Sequence, residues 1–176
     1  MLIKNKAIGV FDSGLGGLTV LKALEAKLPQ ESFIYFGDTA HVPYGSKSVE
    51  TVQNYSNQIT QFLLSHDVKL IVIACNTASS VAAELLRKNF DVPIFGVVTP
   101  SVEQAISLHN GGEIGIIGTQ STIASNSYVE KFTTLAPHIK TVQQACPLFV
   151  PLIEENWNYT NTAKEVASIY LEAISQ

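Results

Sequence analysis

The chain has 176 residues, 46% of them hydrophobic and 15% charged, with a formal net charge of −4. That composition describes a folded domain, or two small lobes, with enough apolar residue for a substantial core. It argues against a nucleic-acid partner, since no Lys/Arg run supplies a basic footprint, and against a membrane span, since no apolar stretch approaches roughly 20 residues.

The lysines and apolar residues at the start (MLIKNKAIGVF) are interrupted early by Asp12 and Gly14, which reads against a signal peptide. Residues 7–11 (AIGVF) form the first expected strand. A helix follows over 15–27, with Leu18, Leu21, Ala23, Leu24 and Leu28 as its apolar stripe. Residues 33–36 (FIYF) are the second strand. The loop GDTAHVPYGS then leads into a helix over 48–65 with Val52, Tyr55, Ile59, Phe62 and Leu63 turned inward. Residues 70–74 make a third strand, and 77–89 a helix that ends in Arg87 and Lys88, as suits a helix C-terminus. The remaining expected elements are a strand at 94–98, a helix at 101–108, a strand at 114–117 and a helix at 122–135. A short strand at 141–145 and helices at 148–155 and 161–175 complete the series.

Apolar strands alternating with amphipathic helices imply an α/β fold of parallel, doubly wound sheets covered on both faces. In such sheets ligands bind beyond the carboxyl ends of the strands, so functional residues should follow each apolar run. Thr99-Pro100 marks an expected passage between a first lobe (1–98) and a second (99–176).

The strand ends carry a consistent chemistry. Asp12-Ser13-Gly14-Leu15-Gly16-Gly17 offers a tight turn and free amides at a helix N-terminus. It lacks the Gly-Lys-Ser/Thr of a phosphate loop, and Asp12 would repel a phosphate. Asp12 or Ser13 serves equally well as a helix cap. In GDTAHVPYGS, Pro43 and Gly45 shape a turn beside the same edge. The turn leaves Tyr44 and exposed backbone amides there, His41 reads as a surface or hydrogen-bonding residue, and Ser46 or Ser48 is a candidate cap. Cys75 ends the third strand against a helix N-terminus, whose positive potential favours thiolate. Free cysteine is also among the commonest buried residues, so its position alone leaves both readings open. Asn76 and Thr77 add donors suited to a carboxylate. Thr99-Pro100-Ser101 and Gly118-Thr119-Gln120-Ser121-Thr122 supply further hydroxyls, for an anion or for capping. Cys146, in ACPLFVPL, reads as structural. Glu154-Glu155 reads as a solvated pair, of which one member could face the cleft. The two cysteines have neither metal nor disulfide-framework spacing, which points to a reduced, cytoplasmic protein without a metal site. One Asp, one Cys and many neutral donors suit proton transfer on a small carboxylate.

The blocks IGVFDSGLGGLTV, FGDTAHVPYG, IVIACNTAS, FGVVTPSV, IGIIGTQSTIASNSY and ACPLFVPLIEE resemble, in this order, the signature blocks of bacterial glutamate racemase, over essentially the whole chain. The resemblance implies two α/β lobes with the site in the cleft between them. It implies cofactor-independent interconversion of L- and D-glutamate, supplying the D-isomer for peptidoglycan, by two cysteines on opposite faces of the substrate. Cys75 matches the first of these thiols, and Asp12 an acidic residue that assists it near the substrate ammonium. Ser13, Tyr44, Gly45, Asn76 and Thr77 match substrate-binding positions, and Thr119 and Thr122 correspond to contacts from the second lobe.

The family's second cysteine belongs to a Gly-Cys-Thr-His-Tyr-Pro-like segment that this sequence does not contain; Cys146 falls in a separate block. The expectation is therefore a shortened racemase with impaired activity. Two alternatives stand beside it: a non-catalytic glutamate-binding or regulatory remnant, and an aspartate racemase. An incomplete first lobe would also expose apolar surface and favour association, with a homodimer as one form.

Overall fold

The computed structural model describes residues 6–174. The first five residues of the N-terminal stretch, and Ser175 at the end of the last expected helix, lie outside that range. No helix among the described residues is long and apolar enough to cross a membrane.

The first half of the chain winds around β1 (Ile8–Asp12), whose residues are all buried. It continues through α1 (Leu18–Lys27), β2 (Phe33–Gly37), a 3-10 turn at Tyr44–Ser46, α2 (Val49–Ser65), β3 (Leu70–Ile73), α3 (Asn76–Asn89) and β4 (Ile94–Gly96). The four strands form one parallel sheet in the order β2-β1-β3-β4. The second half supplies α4 (Val98–Leu108), β5 (Ile114–Gly118), α5 (Gln120–Ala124), α6 (Ser127–Leu135) and β6 (Thr141–Ala145). It ends with α7 (Phe149–Glu154) and α8 (Asn161–Glu172), and β5 and β6 pair in parallel as a second sheet.

The order β2-β1-β3 carries the functional consequence. The chain leaves β1 toward one side, forms β2, and then crosses back to place β3 on the other side of β1. Loops at the carboxyl ends of β1 and β3 therefore diverge, which opens a crevice at this point of a parallel sheet. The register sets Phe11 beside Ile73, so Asp12 and Cys75 follow at adjacent strand ends.

Apolar packing falls on either side of β4. One core joins Phe11, Val52, Ile59, Leu63, Ile71, Ile73 and Leu86; another joins Val102, Ile116, Phe132, Ala136 and Ile139. A smaller cluster of Ile8, Val10 and Ala74 packs under α1.

Several expected details differ. On α1 the packed face is Val20, Leu21 and Leu24, whereas Leu18, Ala23 and Leu28 are exposed. On α2, Phe62 is 45% exposed and lies edge-on to Phe36. The fully buried positions there include Ser56 and Thr60, small residues opposite the Ala- and Ser-rich face of α3. Hydropathy alone places Phe inward and Ser outward; helix–helix closeness reverses both. The fourth strand stops at Gly96, and Thr99 and Pro100 lie in the first turn of α4. Pro is compatible with that position because the first helical N–H groups have no partner within the helix. Neither Thr99 nor Ser101 caps α4, and Ser101 instead donates to the Val97 carbonyl. The single helix expected over 122–135 is two, broken at Ser125-Asn126, where Asn126 adopts a left-handed conformation with φ 55°. Asn tolerates that geometry better than other residues with side chains.

Adjacent residues of α2 make a test of this packing. Leu63→Ala removes a side chain with no exposure and is expected to cost about 2–5 kcal/mol in chemical denaturation. Phe62→Ala, on the half-exposed position, is expected to cost less than about half of that.

Candidate active site

A cavity of about 440 Å3 opens over the carboxyl ends of β1 and β3. Its wall includes Asp12, Ser13, Tyr44, Gly45, Cys75, Asn76, Thr77 and Thr119. The structure thus gathers eight of the sequence-derived candidates around one space. Thr122 is not part of the wall but touches it through Thr119.

Asp12 is 6% exposed, and its Oδ2 accepts the N–H groups of Gly14 and Gly17, both at 3.0 Å. It organises the glycine turn and takes the amide at the start of α1, whose N-cap residue, Gly17, brings no side chain of its own to the task. Gly17 is required there. A Cβ on it would sit 2.5 Å from Asp12 Cβ and 2.9 Å from Ala74 Cβ.

Cys75 occupies the N-cap of α3 and is 6% exposed. Its Sγ accepts from the Ala78 N–H at 3.4 Å and lies 3.5 Å from the Ser13 hydroxyl. These bonds favour thiolate, as the sequence suggested. They are outweighed: burial, and then the Asp12 charge, push the thiol above its ordinary range. Cys75 rests as a thiol, and the thiolate it forms is a stronger base than a free cysteine.

Tyr44 lines the same cavity. The phenol is 1% exposed, and its hydroxyl donates to Asp38 Oδ2 at 2.6 Å. Burial and the bond to Asp38 raise its pKa strongly. Tyr44 therefore meets the cavity as wall and backbone, not as a free hydroxyl. Asp38 also meets His41 Nδ1 at 2.7 Å, and the His41 ring stacks on Tyr55 with centroids 4.2 Å apart. Ser48 is the cap of α2, accepting from the Thr51 N–H at 3.2 Å.

The second sheet reaches the site through threonines. Thr77 at the start of α3, Thr119 at the N-cap of α5 and Thr122 form a triangle of hydroxyls with sides of 3.0, 3.0 and 3.4 Å. The backbone at Gly45 abuts the same point, since a Cβ there would lie 2.6 Å from Thr119 Cβ. Asn76 is held by the Tyr128 hydroxyl at 2.5 Å.

Glu154, Pro147, Val150 and Pro151 also line the cavity. The sequence flagged Glu154 only as one of a pair, and the prolines carried no signal beyond their block. Cys146 is 2% exposed, points to the Gln144 carbonyl at 3.6 Å and does not line the cavity. Among the described residues no cluster of His, Cys, Asp and Glu has the form of a metal site.

Residues 8–175 match the family described as Asp/Glu/Hydantoin racemase. The glutamate racemase of Geobacter metallireducens is 49% identical over 171 residues, covering 97% of this chain and 63% of that protein. The structure of glutamate racemase isoform RacE1 from Bacillus anthracis superposes with TM-score 0.93 at 36% identity, over 98% of this chain and 65% of that one. That of glutamate racemase from Francisella tularensis, in complex with D-glutamate, gives TM-score 0.90 at 40% identity, over 97% and 64%. The chain spans a little under two thirds of the length of these relatives.

The Asp12–Cys75 pairing makes a pH prediction. Alkylation of Cys75 by iodoacetamide, followed by peptide mass spectrometry, is expected to rise only above the ordinary thiol range near about 8.5. Asp12→Asn removes a charge that disfavours thiolate and is expected to move the profile to lower pH. An unmoved profile would mean that the Asp12 charge does not reach the sulfur.

Proposed function

This chain belongs to the Asp/Glu/Hydantoin racemase family, and we propose that it carries the proton-abstracting half of a glutamate racemase. The observation that carries the reading is Cys75, a buried thiol facing the cavity between Asp12 and the start of α3. It is the only thiol in the cavity wall, since the other cysteine of the chain, Cys146, is turned away.

The α-proton of an amino acid is weakly acidic, so its removal needs a strong base and fixed stabilisation of the carboxylate as negative charge moves onto it. Cys75 has the basicity once deprotonated. A substrate ammonium beside Asp12 would offset the charge that holds the thiol protonated, easing its ionisation when substrate is bound. Asn76 and Thr77, at the positive end of the 14-residue α3, suit the α-carboxylate. Ser13, Gly45, Thr119 and Thr122 complete the polar surround. In the step itself, the Cys75 thiolate takes the proton from Cα, becomes a thiol, and leaves the electron pair delocalised into the carboxylate.

Inversion requires a proton delivered to the opposite face, because Cys75 returning its own proton regenerates the starting enantiomer. Among the described residues the cavity offers no second thiol. These residues therefore support abstraction and exchange more directly than racemisation. The product of racemisation would be D-glutamate for cell-wall peptidoglycan. The aspartate enzyme is the weaker reading, since the relatives above are glutamate racemases.

The test is incubation of the chain with L- and with D-glutamate in deuterated buffer, followed by NMR for Cα exchange and circular dichroism for inversion. The expected result is exchange of one enantiomer with retained configuration, reduced at least about a hundredfold in Cys75→Ser. Robust inversion by this chain would overturn the one-thiol reading. Calorimetric binding with no exchange would favour a non-catalytic glutamate binder.

A further inference from the structure

We propose that Asp38 is a positioning residue that ties the Asp12 turn to the Tyr44–Ser46 turn and so sets the width of the substrate cavity. The proposal rests on the racemase reading for what the cavity holds, but its geometry stands separately. Asp38 follows β2 and is 7% exposed, an expensive place for a carboxylate without partners. Its backbone N–H donates to the Asp12 carbonyl at 3.0 Å, extending the β1–β2 pairing by one bond. Its side chain accepts the Tyr44 hydroxyl at 2.6 Å. One residue thereby holds both walls, by independent groups.

What Tyr44 transmits is the position of the turn. Its ring is 1% exposed and lies among the core residues of the first half of the chain. The next residue, Gly45, presses its backbone against Thr119, and Tyr44, Gly45 and Ser46 all line the cavity. The first amides of a 3-10 turn have no partner within the turn, so this segment brings unsatisfied donors to the cavity wall. Fixing them before substrate arrives removes ordering cost from binding. The ring hydroxyl is spent on Asp38; its purchase on the carboxylate is what holds the donors still.

His41 touches the same carboxylate, but its side chain is 45% exposed. Water screens the half-exposed imidazole, whereas the Tyr44 hydroxyl meets Asp38 with both partners buried, so the tether runs through Tyr44. Because the link to Asp12 uses the Asp38 backbone, it survives a change of side chain. Loss of the carboxylate should loosen the Tyr44 wall and spare the Asp12–Cys75 wall.

The experiment uses the full chain and the variants Asp38→Ala, Asp38→Asn, Tyr44→Phe, His41→Gln and the double variant Asp38→Ala/Tyr44→Phe. Two readouts are taken: hydrogen exchange of the Lys47 amide, which donates to the Tyr44 carbonyl and so closes the turn, and the substrate dependence of Cα exchange on glutamate. Asp38→Ala and Tyr44→Phe are each expected to speed amide exchange of the turn on the order of tenfold. The double variant should be no worse than either single one, since both remove one interaction. Asp38→Asn keeps an acceptor and should recover much of the protection, and His41→Gln should stay within about twofold of wild type. In the glutamate assay the Ala and Phe variants should raise KM by a similar factor with kcat within about threefold. Unchanged amide exchange in folded Asp38→Ala and Tyr44→Phe, or additive effects in the double variant, would overturn the proposal. Wild-type protein that shows the amide pattern but no action on glutamate would fault the racemase reading and leave the tether in place. A fall in kcat at constant KM would overturn the positioning role, because it would place the effect at Cys75.

Discussion

Everything at the site depends on β1 lying directly beside β3 in a parallel sheet while the chain between them goes to the far side of β1. That adjacency follows from elementary patterning. β1 is buried on both faces and bounded by a turn sequence, so it takes the centre, and the helices that follow each strand must pack on one face or the other. Once Phe11 pairs with Ile73, a carboxylate and a thiol stand at neighbouring strand ends with no freedom to separate. The glycine turn makes the approach sterically possible. Gly17 lies so near Asp12 and Ala74 that any side chain would force the two strand ends apart. The chemistry is thus a by-product of strand order and of one missing Cβ.

Holding an anion next to a buried thiol works against ionisation, and the structure keeps both. The Ala78 N–H, the Ser13 hydroxyl and the dipole of α3 pull one way; desolvation and Asp12 pull the other, and the latter prevail. For a resting nucleophile that balance would be a defect. For a base whose substrate carries an ammonium group it separates the resting state from the working one, since the cation that needs deprotonation beside it also relieves the repulsion. The tyrosines echo this. Tyr35, bonded to the Gly14 carbonyl at 2.9 Å, is pushed up to about 12 by burial and by Asp12 and Cys75. The phenol stays neutral and adds no further charge to the turn.

Legibility in the sequence followed the physics of each signal. Strand ends were readable because an apolar run that stops at Asp12, Cys75 or Thr119 marks both an element boundary and a position at the carboxyl edge of a parallel sheet. Those three residues do line one cavity. Positions decided by a neighbouring element were not readable: Ser56 and Thr60 are buried because α3 offers small residues opposite them, and no periodicity within α2 shows that. The break in the expected helix at 122–135 turns on one left-handed residue, Asn126, inside an otherwise helical pattern. The upward push on the Cys75 thiol was hidden for a related reason. Helix position is local and visible, whereas the charge of Asp12 reaches the sulfur only through the folded sheet. Tyr44 does line the cavity, but the partner of its hydroxyl, Asp38, six residues earlier in the same loop, carried no signal of its own.

The second half of the chain meets this arrangement through polar contacts, the threonine hydroxyls and the Tyr128–Asn76 bond among them. Thr77, Thr119 and Thr122 close a hydroxyl triangle where the N-termini of α3 and α5 face each other. Two apolar surfaces meeting there would fuse the halves into one core. Hydroxyls instead give a contact whose bonds are individually modest and can be exchanged for bonds to water or to a carboxylate at little net cost. The first apolar core runs up to this junction through Cys75 and Ala78, and the second is centred on Val102, Ile116 and Phe132. A substrate carboxylate entering between α3 and α5 would replace hydroxyl–hydroxyl bonds with stronger, charge-assisted ones.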